Sequence, residues 1–202
     1  MAAPASTSRL CYQFSPVPLA PLLAPLLAVS LAQTSPPGRG LTAGERALLA
    51  PLFRDAVDYD AVRVVRGRAF PLQGPRTLVT FRNVVYAPRE VYCDDYALAG
   101  LDRQAVLVHE VAHVWQHQNG IGVFAGALRA LVASGGRYSR AYRYDLVPGR
   151  DLIEYGVEQQ AMIIEHYFLT SGPEAAGYED VLHRFLRDPR YPRRWRPPRR
   201  RP

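Results

Sequence analysis

The pattern of apolar positions changes along the chain, and each change predicts a different kind of element. A helix is predicted to begin after Thr42, because Thr42 and Glu45 form a capping-box pattern and apolar residues follow them at helical spacing. From about residue 60 to 92 the pattern becomes short β-branched runs, at 62–65, 78–81 and 84–86, which are separated by glycine and proline. These runs predict a small sheet.

The pattern returns to helical spacing after residue 100. A long helix is predicted to be capped by Asp102 and to end near Gln118, where Asn119 and Gly120 follow. Its buried face is predicted to consist of Ala105, Val108, Ala112 and Trp115. Further helices are predicted over about 121–134, 151–169 and 174–187. The order of strands followed by helices predicts an α+β fold, in which a short sheet packs on the first long helix and the C-terminal half is helical.

Composition separates one central domain from two proline-rich ends. The 202 residues suffice for a single domain with tails. We predict a disordered extension at 1–40, the domain at 41–187 and a disordered tail at 188–202. We expect a cytoplasmic location, with a periplasmic or secreted location as the alternative if residues 1–32 act as a signal peptide. No transmembrane span is predicted, because Pro21 and Pro25 interrupt the apolar run of the extension.

Most of the net charge of +7 lies in the tail. Six arginines lie in the last twelve residues, and they are Arg193, Arg194, Arg196, Arg199, Arg200 and Arg201. Without them the charge is 7 − 6 = +1, so the domain itself is nearly neutral. The tail is predicted to contact anionic surfaces without specificity, and no specific nucleic-acid motif is present. The two cysteines, Cys11 and Cys93, have no CxxC spacing, so neither a thiolate metal site nor a disulfide scaffold is indicated.

The chemistry of the sequence is concentrated in His109-Glu110-Val111-Ala112-His113, an HExxH motif on the long predicted helix. Histidines four residues apart leave the same face of a helix, so both imidazoles can bind one Zn²⁺. Glu110 is then placed to act as the general base toward a water molecule. The motif therefore predicts a zinc site with Glu110 as its catalytic residue.

A catalytic zinc site needs a third protein ligand and one open position. A third histidine of the metzincin type is excluded, because Gln116 and Asn119 occupy the relevant offsets. The remaining candidates are Glu154, Glu158 and Glu165 of the predicted 151–169 helix. Glu158 is favoured because it lies in the middle of that helix beside the buried stripe. Glu154 would instead complement the helix dipole, and Glu165 would lie on a solvated face or beside the ligands.

Four more residues are candidates for supporting roles. Gln116 and His117 follow the zinc pair on the same side of the helix, where either could hydrogen-bond a ligand or a substrate. Tyr155 and His166 are candidates for stabilising an oxyanion. Trp115 is predicted to be a packing residue of the core.

Two segments resemble a known family. The stretch at 107–118, LVHEVAHVWQHQ, and the stretch at 155–167, YGVEQQAMIIEHY, resemble the Vgr-related proteins of Gram-negative bacteria. They are similar more distantly to the metallopeptidase core domain of extracellular contractile injection systems. The resemblance covers about residues 41–170. It implies a small zincin-like metallopeptidase domain of the gluzincin type, with Glu158 of the EQQA segment as the third zinc ligand.

Two functions follow as expectations. The first is a zinc-dependent metallopeptidase that cleaves a peptide or protein substrate, with the 84–86 run offering a sheet edge to an extended chain. The alternative is a catalytically silent, zinc-stabilised accessory or interaction module of a secretion or contractile injection system. The presence of Glu110 favours the enzyme, because a purely structural zinc site has no use for that carboxylate.

Overall fold

The structure is a computed structural model, and it describes residues 38–71, 73–122, 143–170 and 172–194. The helix predicted at 121–134, the apolar run of the N-terminal extension and the tail beyond residue 194 lie outside the described residues. The described chain contains α1 (Ala43–Phe53), β1 (Arg63–Arg66), β2 (Val79–Phe81), β3 (Val84–Ala87), α2 (Leu101–Gln118), α3 (Val157–Leu169) and α4 (Ala175–Arg187). The α+β prediction is therefore confirmed. No helix in the described ranges is both long enough and apolar enough to cross a bilayer.

Helix α1 begins where the capping box was predicted. The Thr42 hydroxyl accepts a hydrogen bond from the Glu45 backbone N–H at 3.0 Å, and the Glu45 carboxylate accepts from the Thr42 N–H at 2.9 Å. Glu45 is fully buried. Two hydrogen bonds of 2.7 Å that Arg39 donates to its carboxylate compensate the cost of burying this charge. The start of the domain is thus held by a buried ion pair as well as by a helix cap.

The three strands form one sheet in the order β1-β3-β2. β1 pairs with β3 in parallel, and β2 pairs with β3 in antiparallel through a two-residue turn at Arg82-Asn83. The prediction that the 84–86 run offers a sheet edge is wrong, since this run is the central strand. Among the described strands, β2 is the outer strand next to β3 on the side opposite β1, and it packs on α2.

Helix α2 is the central element of the fold. Its N-cap is Gly100 and not Asp102 as predicted, and the helix begins at Leu101, so Asp102 lies in its first turn. An aspartate there complements the positive end of the helix dipole even when it is not the cap. Trp115 is fully buried, as predicted, and packs edge-on against the ring of Phe185 from α4.

The single helix predicted over 151–169 is two separate elements. Leu152–Glu154 forms a short 3₁₀ turn, and α3 begins only at Val157. The break arises because Asp151 and Glu154 cap each other across the short turn, while Gly156 adopts an extended conformation as the N-cap of α3. Glu158 therefore lies in the first turn of α3 and not in the middle of a helix.

Residues on both sides of the predicted domain at 41–187 contact it. At the N-terminal side, Arg39 forms a backbone bridge with Val64 of β1. At the C-terminal side, the carbonyl of Pro189 accepts a hydrogen bond from the Trp115 indole at 2.7 Å, and the Tyr191 hydroxyl donates to Asp151 at 2.7 Å. Pro189 and Tyr191 thus tie the segment after α4 to α2 and to the turn that precedes α3.

Candidate metal centre

Three buried side chains from two helices meet at one point. His109 and His113 come from α2, and Glu158 comes from the first turn of α3. Glu158 Oε2 lies 3.3 Å from His113 Nε2 and 3.7 Å from His109 Nε2. The break before α3 produces this arrangement, because it places the start of the helix, and with it Glu158, against the middle of α2.

The separations within this group fit a single small cation. One ligand atom from each of the three residues lies within 4.8 Å of the others. Tetrahedral Zn²⁺ has ligands at about 2.0–2.2 Å, which places neighbouring ligand atoms about 3.3–3.6 Å apart. Two imidazoles and one carboxylate also form a donor set that catalytic zinc sites use. Geometry and chemistry both suit a divalent ion here.

Each histidine is held by a second partner on its other ring nitrogen. His109 Nδ1 lies 3.0 Å from Glu165 Oε2, and His113 Nδ1 lies 2.8 Å from Gln116 Oε1. Since both partners are acceptors, each Nδ1 carries a proton and each Nε2 is directed at the shared point, where its lone pair can bind a cation once its own proton is lost. Glu165 is buried beside the ligands, which was one of its two predicted locations, and it is not on a solvated face.

Gln116 connects the histidine helix to the element that carries Glu158. Its amide N–H groups donate to the Val157 carbonyl at 2.7 Å and to Gln160 Oε1 at 3.0 Å. Gln160 in turn donates to the carbonyl of Tyr155 at 2.8 Å. This buried amide network fixes the position of α3 relative to α2. Sequence reasoning identified Gln116 but missed Gln160, because two glutamines more than forty residues apart carry no local spacing signal.

The electrostatics of the cluster favour a positive charge. Burial by itself lowers the pKa of both histidines, but the hydrogen bonds of His109 to Glu158 and Glu165 outweigh it and raise the His109 pKa to about 10. The pKa of His113 is raised as well, chiefly by Glu158. Burial opposes ionisation of Glu158, yet the two histidines hold its pKa well below the ordinary value. A cation bound at this point would replace the histidine protons as the positive charge that the nearby carboxylates stabilise.

Glu110 lies beside the ligands without being one of the group that converges. It is buried, with 6% of its surface exposed. Its Oε2 accepts a hydrogen bond of 2.7 Å from the hydroxyl of Thr80 on β2. Sequence reasoning missed Thr80, since one threonine in a short β-branched run has no feature that connects it to a distant helix.

The structure separates the other predicted residues from the converging group. Glu154 caps its own 3₁₀ turn. His117 is exposed, and partial desolvation of its ring together with the charge of Arg82 lowers its pKa. The Tyr155 hydroxyl donates to the Asp145 carbonyl and accepts from the Val147 N–H, so it holds the preceding loop.

His166 is the remaining candidate for stabilising an oxyanion. Its Nδ1 is hydrogen-bonded to the Tyr144 hydroxyl, and burial lowers its pKa. The two rings are tilted against each other with centroids 5.8 Å apart. Tyr144 thus occupies one of the two ring nitrogens of His166, and the oxyanion role of His166 stays a prediction.

The comparisons with known proteins point to one family. No family model matches the chain. The type VI secretion system spike protein VgrG2b of Pseudomonas aeruginosa is 37% identical over 134 residues, which is 65% of this chain but only 13% of that protein. The solved effector domain of VgrG2b is 32% identical, with a TM-score of 0.63, and the match covers 80% of this chain and 90% of that domain. The chain belongs to this Vgr-related family. The resemblance inferred from the HExxH and EQQA segments is thereby confirmed at the level of the family.

Proposed function

We propose that this chain is an effector-type domain of a bacterial secretion system and that it acts as a zinc-dependent peptidase. The family relationship to the VgrG2b effector domain supports the first part. The arrangement of His109, His113, Glu158 and Glu110 supports the second. The fold is then a zincin-like domain of the gluzincin type. A cytoplasmic location before delivery stays a prediction.

In this proposal His109, His113 and Glu158 hold Zn²⁺, while Glu165 and Gln116 keep the imidazoles oriented. When bound, zinc polarises a peptide carbonyl and lowers the pKa of water. Glu110 accepts the proton of the attacking water and delivers it to the leaving amine. An extended peptide would pair with the outer strand β2, which takes the substrate-edge role that the sequence had assigned to the 84–86 run.

The observation that carries the peptidase proposal is the environment of Glu110. Burying a carboxylate costs free energy unless hydrogen bonds or an opposite charge compensate the lost hydration. Glu110 is buried next to the converging group and is held by Thr80, yet a structural metal site would not use it. The catalytic proposal gives this carboxylate a task, and the structural alternative does not.

The second candidate is a zinc-stabilised module without catalysis, attached to a secretion or contractile injection apparatus. The observation in its favour is that the matched protein is a spike component of which this chain spans 13%. The same three ligands would then stabilise α2 against α3. Both candidates require zinc, so only an assay of Glu110 separates them.

The ligand set is tested by the zinc content of the purified protein. Wild type is expected to hold about one zinc ion per chain, and His113→Ala and Glu158→Gln to lose it. Glu154→Gln is the matched control, because that carboxylate caps a neighbouring turn and should leave the zinc content unchanged. Zinc retained in Glu158→Gln would assign the third ligand elsewhere.

Catalysis is tested by incubating an unstructured peptide library with wild type and with Glu110→Gln. The expected result is cleavage by wild type that is lost in Glu110→Gln while zinc stays bound. Glu179→Gln on the exposed face of α4 serves as the control and should cleave as wild type does. Absence of cleavage by zinc-loaded wild type under several activating conditions would favour the silent module.

A further inference from the structure

Thr80 of the outer strand β2 has its backbone groups at the sheet edge and its side chain against Glu110. The carbonyls of Asn83, just before β3, and of Ala87, the last residue of β3, accept hydrogen bonds of 2.9 and 2.8 Å from the β1 side, so the backbone N–H and C=O groups of the odd-numbered residues of β3 face β1. Val85 is one of these residues, and its antiparallel partner in β2 is Thr80. In such a pair the backbone groups of both residues point away from each other. The Thr80 N–H and C=O are therefore directed outward, at the edge of the described sheet.

The side chain of Thr80 points to the metal centre. Its hydroxyl donates to Glu110 Oε2 at 2.7 Å, within the normal range for a hydrogen bond from a hydroxyl to a carboxylate. Among the described residues, Thr80 is the side chain that donates to Glu110. One oxygen of the carboxylate is thus engaged, and rotation of the Glu110 side chain is restricted.

We propose that Thr80 is a positioning residue that holds Glu110 in its working orientation from the strand on which an extended peptide binds. This inference rests on the proposed peptidase function, since orientation matters only if Glu110 transfers a proton. The hydroxyl fixes Oε2 and leaves Oε1 to accept the proton. The outward N–H and C=O of the same residue would pair with the peptide backbone, so Thr80 would hold both the peptide and Glu110 in fixed positions relative to each other.

A merely structural role would give Thr80 the same contact but a different response to substitution. If the hydroxyl only satisfies a buried carboxylate, its loss should lower stability and affect every kinetic parameter through the fraction of folded protein. If it positions Glu110, its loss should lower kcat selectively, because peptide binding uses the Thr80 backbone, which every variant retains.

The experiment compares Thr80→Val, which removes the hydroxyl at nearly constant shape, with Thr80→Ser, which keeps it. Thr77→Val is the matched control, because its hydroxyl lies outside the Glu110 contact. For Thr80→Val we expect kcat to fall about 10–100-fold with KM within about twofold of wild type, and for Thr80→Ser a kcat within about threefold. Zinc content is measured on each variant and is expected to be unchanged.

A second measurement does not depend on activity. Glutamate labelled with ¹³C in its side-chain carboxyl gives one NMR signal per residue, and the Glu110 signal is assigned by its absence in Glu110→Gln. Thr80→Val is expected to shift this signal, whereas Thr80→Ser and Thr77→Val are expected to leave it nearly in place.

Three outcomes would overturn the positioning role of Thr80: an unchanged kcat in Thr80→Val, a loss confined to KM, or an unchanged Glu110 signal. If wild type cleaves no peptide, the proposed function fails, and the NMR signal alone decides whether Thr80 holds Glu110.

Discussion

Replacing Gln116 by leucine should damage stability and zinc binding together. The Gln116 side chain is fully buried and makes three hydrogen bonds, to His113 Nδ1 at 2.8 Å, to the Val157 carbonyl at 2.7 Å and to Gln160 Oε1 at 3.0 Å. Leucine fills most of the volume but can make none of these bonds. The substitution therefore leaves three buried polar groups without their partner.

Each buried group that loses its partner costs about 1–3 kcal/mol. Some of this cost is recovered by relaxation, because Gln160 keeps its hydrogen bond to the Tyr155 carbonyl and can turn its amide. We therefore expect a loss of about 3–5 kcal/mol in the free energy of unfolding. For a domain of this size, at about 2–4 °C per kcal/mol, Tm falls by about 6–20 °C.

The effect on zinc follows from the orientation of His113. Without an acceptor at Nδ1, the imidazole loses both its fixed tautomer and its fixed ring plane, which weakens metal binding by about 10–100-fold. Thermal unfolding followed by circular dichroism measures the fall in Tm, and competition with a chromophoric chelator measures the affinity for zinc. Gln104→Leu is the control, because Gln104 also lies on α2 and donates to two backbone carbonyls, but away from the metal centre.

The control should lower Tm by only a few degrees and leave zinc affinity unchanged. If Gln116→Leu binds zinc as tightly as wild type, the hydrogen bond to His113 does not orient that ligand. If its Tm matches that of Gln104→Leu, the network between α2 and α3 contributes less than the number of its buried hydrogen bonds implies.

Three further predictions concern the two ends of the domain. A chain that ends at residue 187 loses the Pro189 carbonyl that accepts from Trp115, and we expect it to be about 1–3 kcal/mol less stable in urea than a chain that ends at 194. The full chain should elute from heparin resin at higher salt than the chain ending at 194, because the latter lacks four tail arginines; equal elution would place the basic surface on the fold. Thr42→Ala removes one half of the capping box and should cost about 1 kcal/mol in the same urea titration, with Thr42→Ser close to wild type.

The parts of the site that could be predicted from the sequence are those encoded by short spacing. The positions of His109, Glu110 and His113 on one helix follow from 3.6 residues per turn, and the apolar stripe places that helix in the core. Glu158 was favoured because it was expected in the middle of a continuous helix over 151–169. That reason is wrong, because the chain breaks at 151–156 and Glu158 lies in the first turn of α3. The capping box of Asp151 and Glu154 begins the short turn, and it can be recognised in the sequence only once the break is known.

The parts that could not be predicted depend on contacts between distant segments. The strand order that makes β2 the outer strand is decided by long-range packing, and nothing in the 84–86 run distinguishes a central strand from an edge. Thr80, Gln160 and Glu165 reach the centre from three different positions in the chain, and each is an ordinary residue of its own element. Their roles arise only when the elements are packed.

The burial of Trp115 has a practical consequence for spectroscopy. The chain has two tryptophans, and the second, Trp195, lies in the tail. Trp115 lies two residues after His113 on the same helix, is shielded from solvent and is bonded to the Pro189 carbonyl. Residues two apart leave opposite faces of a helix, so its fluorescence emission comes from the buried side of α2 behind the candidate metal centre. With Trp195→Phe, Trp115 becomes the single tryptophan of a chain that also has 12 tyrosines, and excitation at the red edge of indole absorption then reports, without any attached dye, when metal loss loosens the back of the helix that carries the candidate ligands.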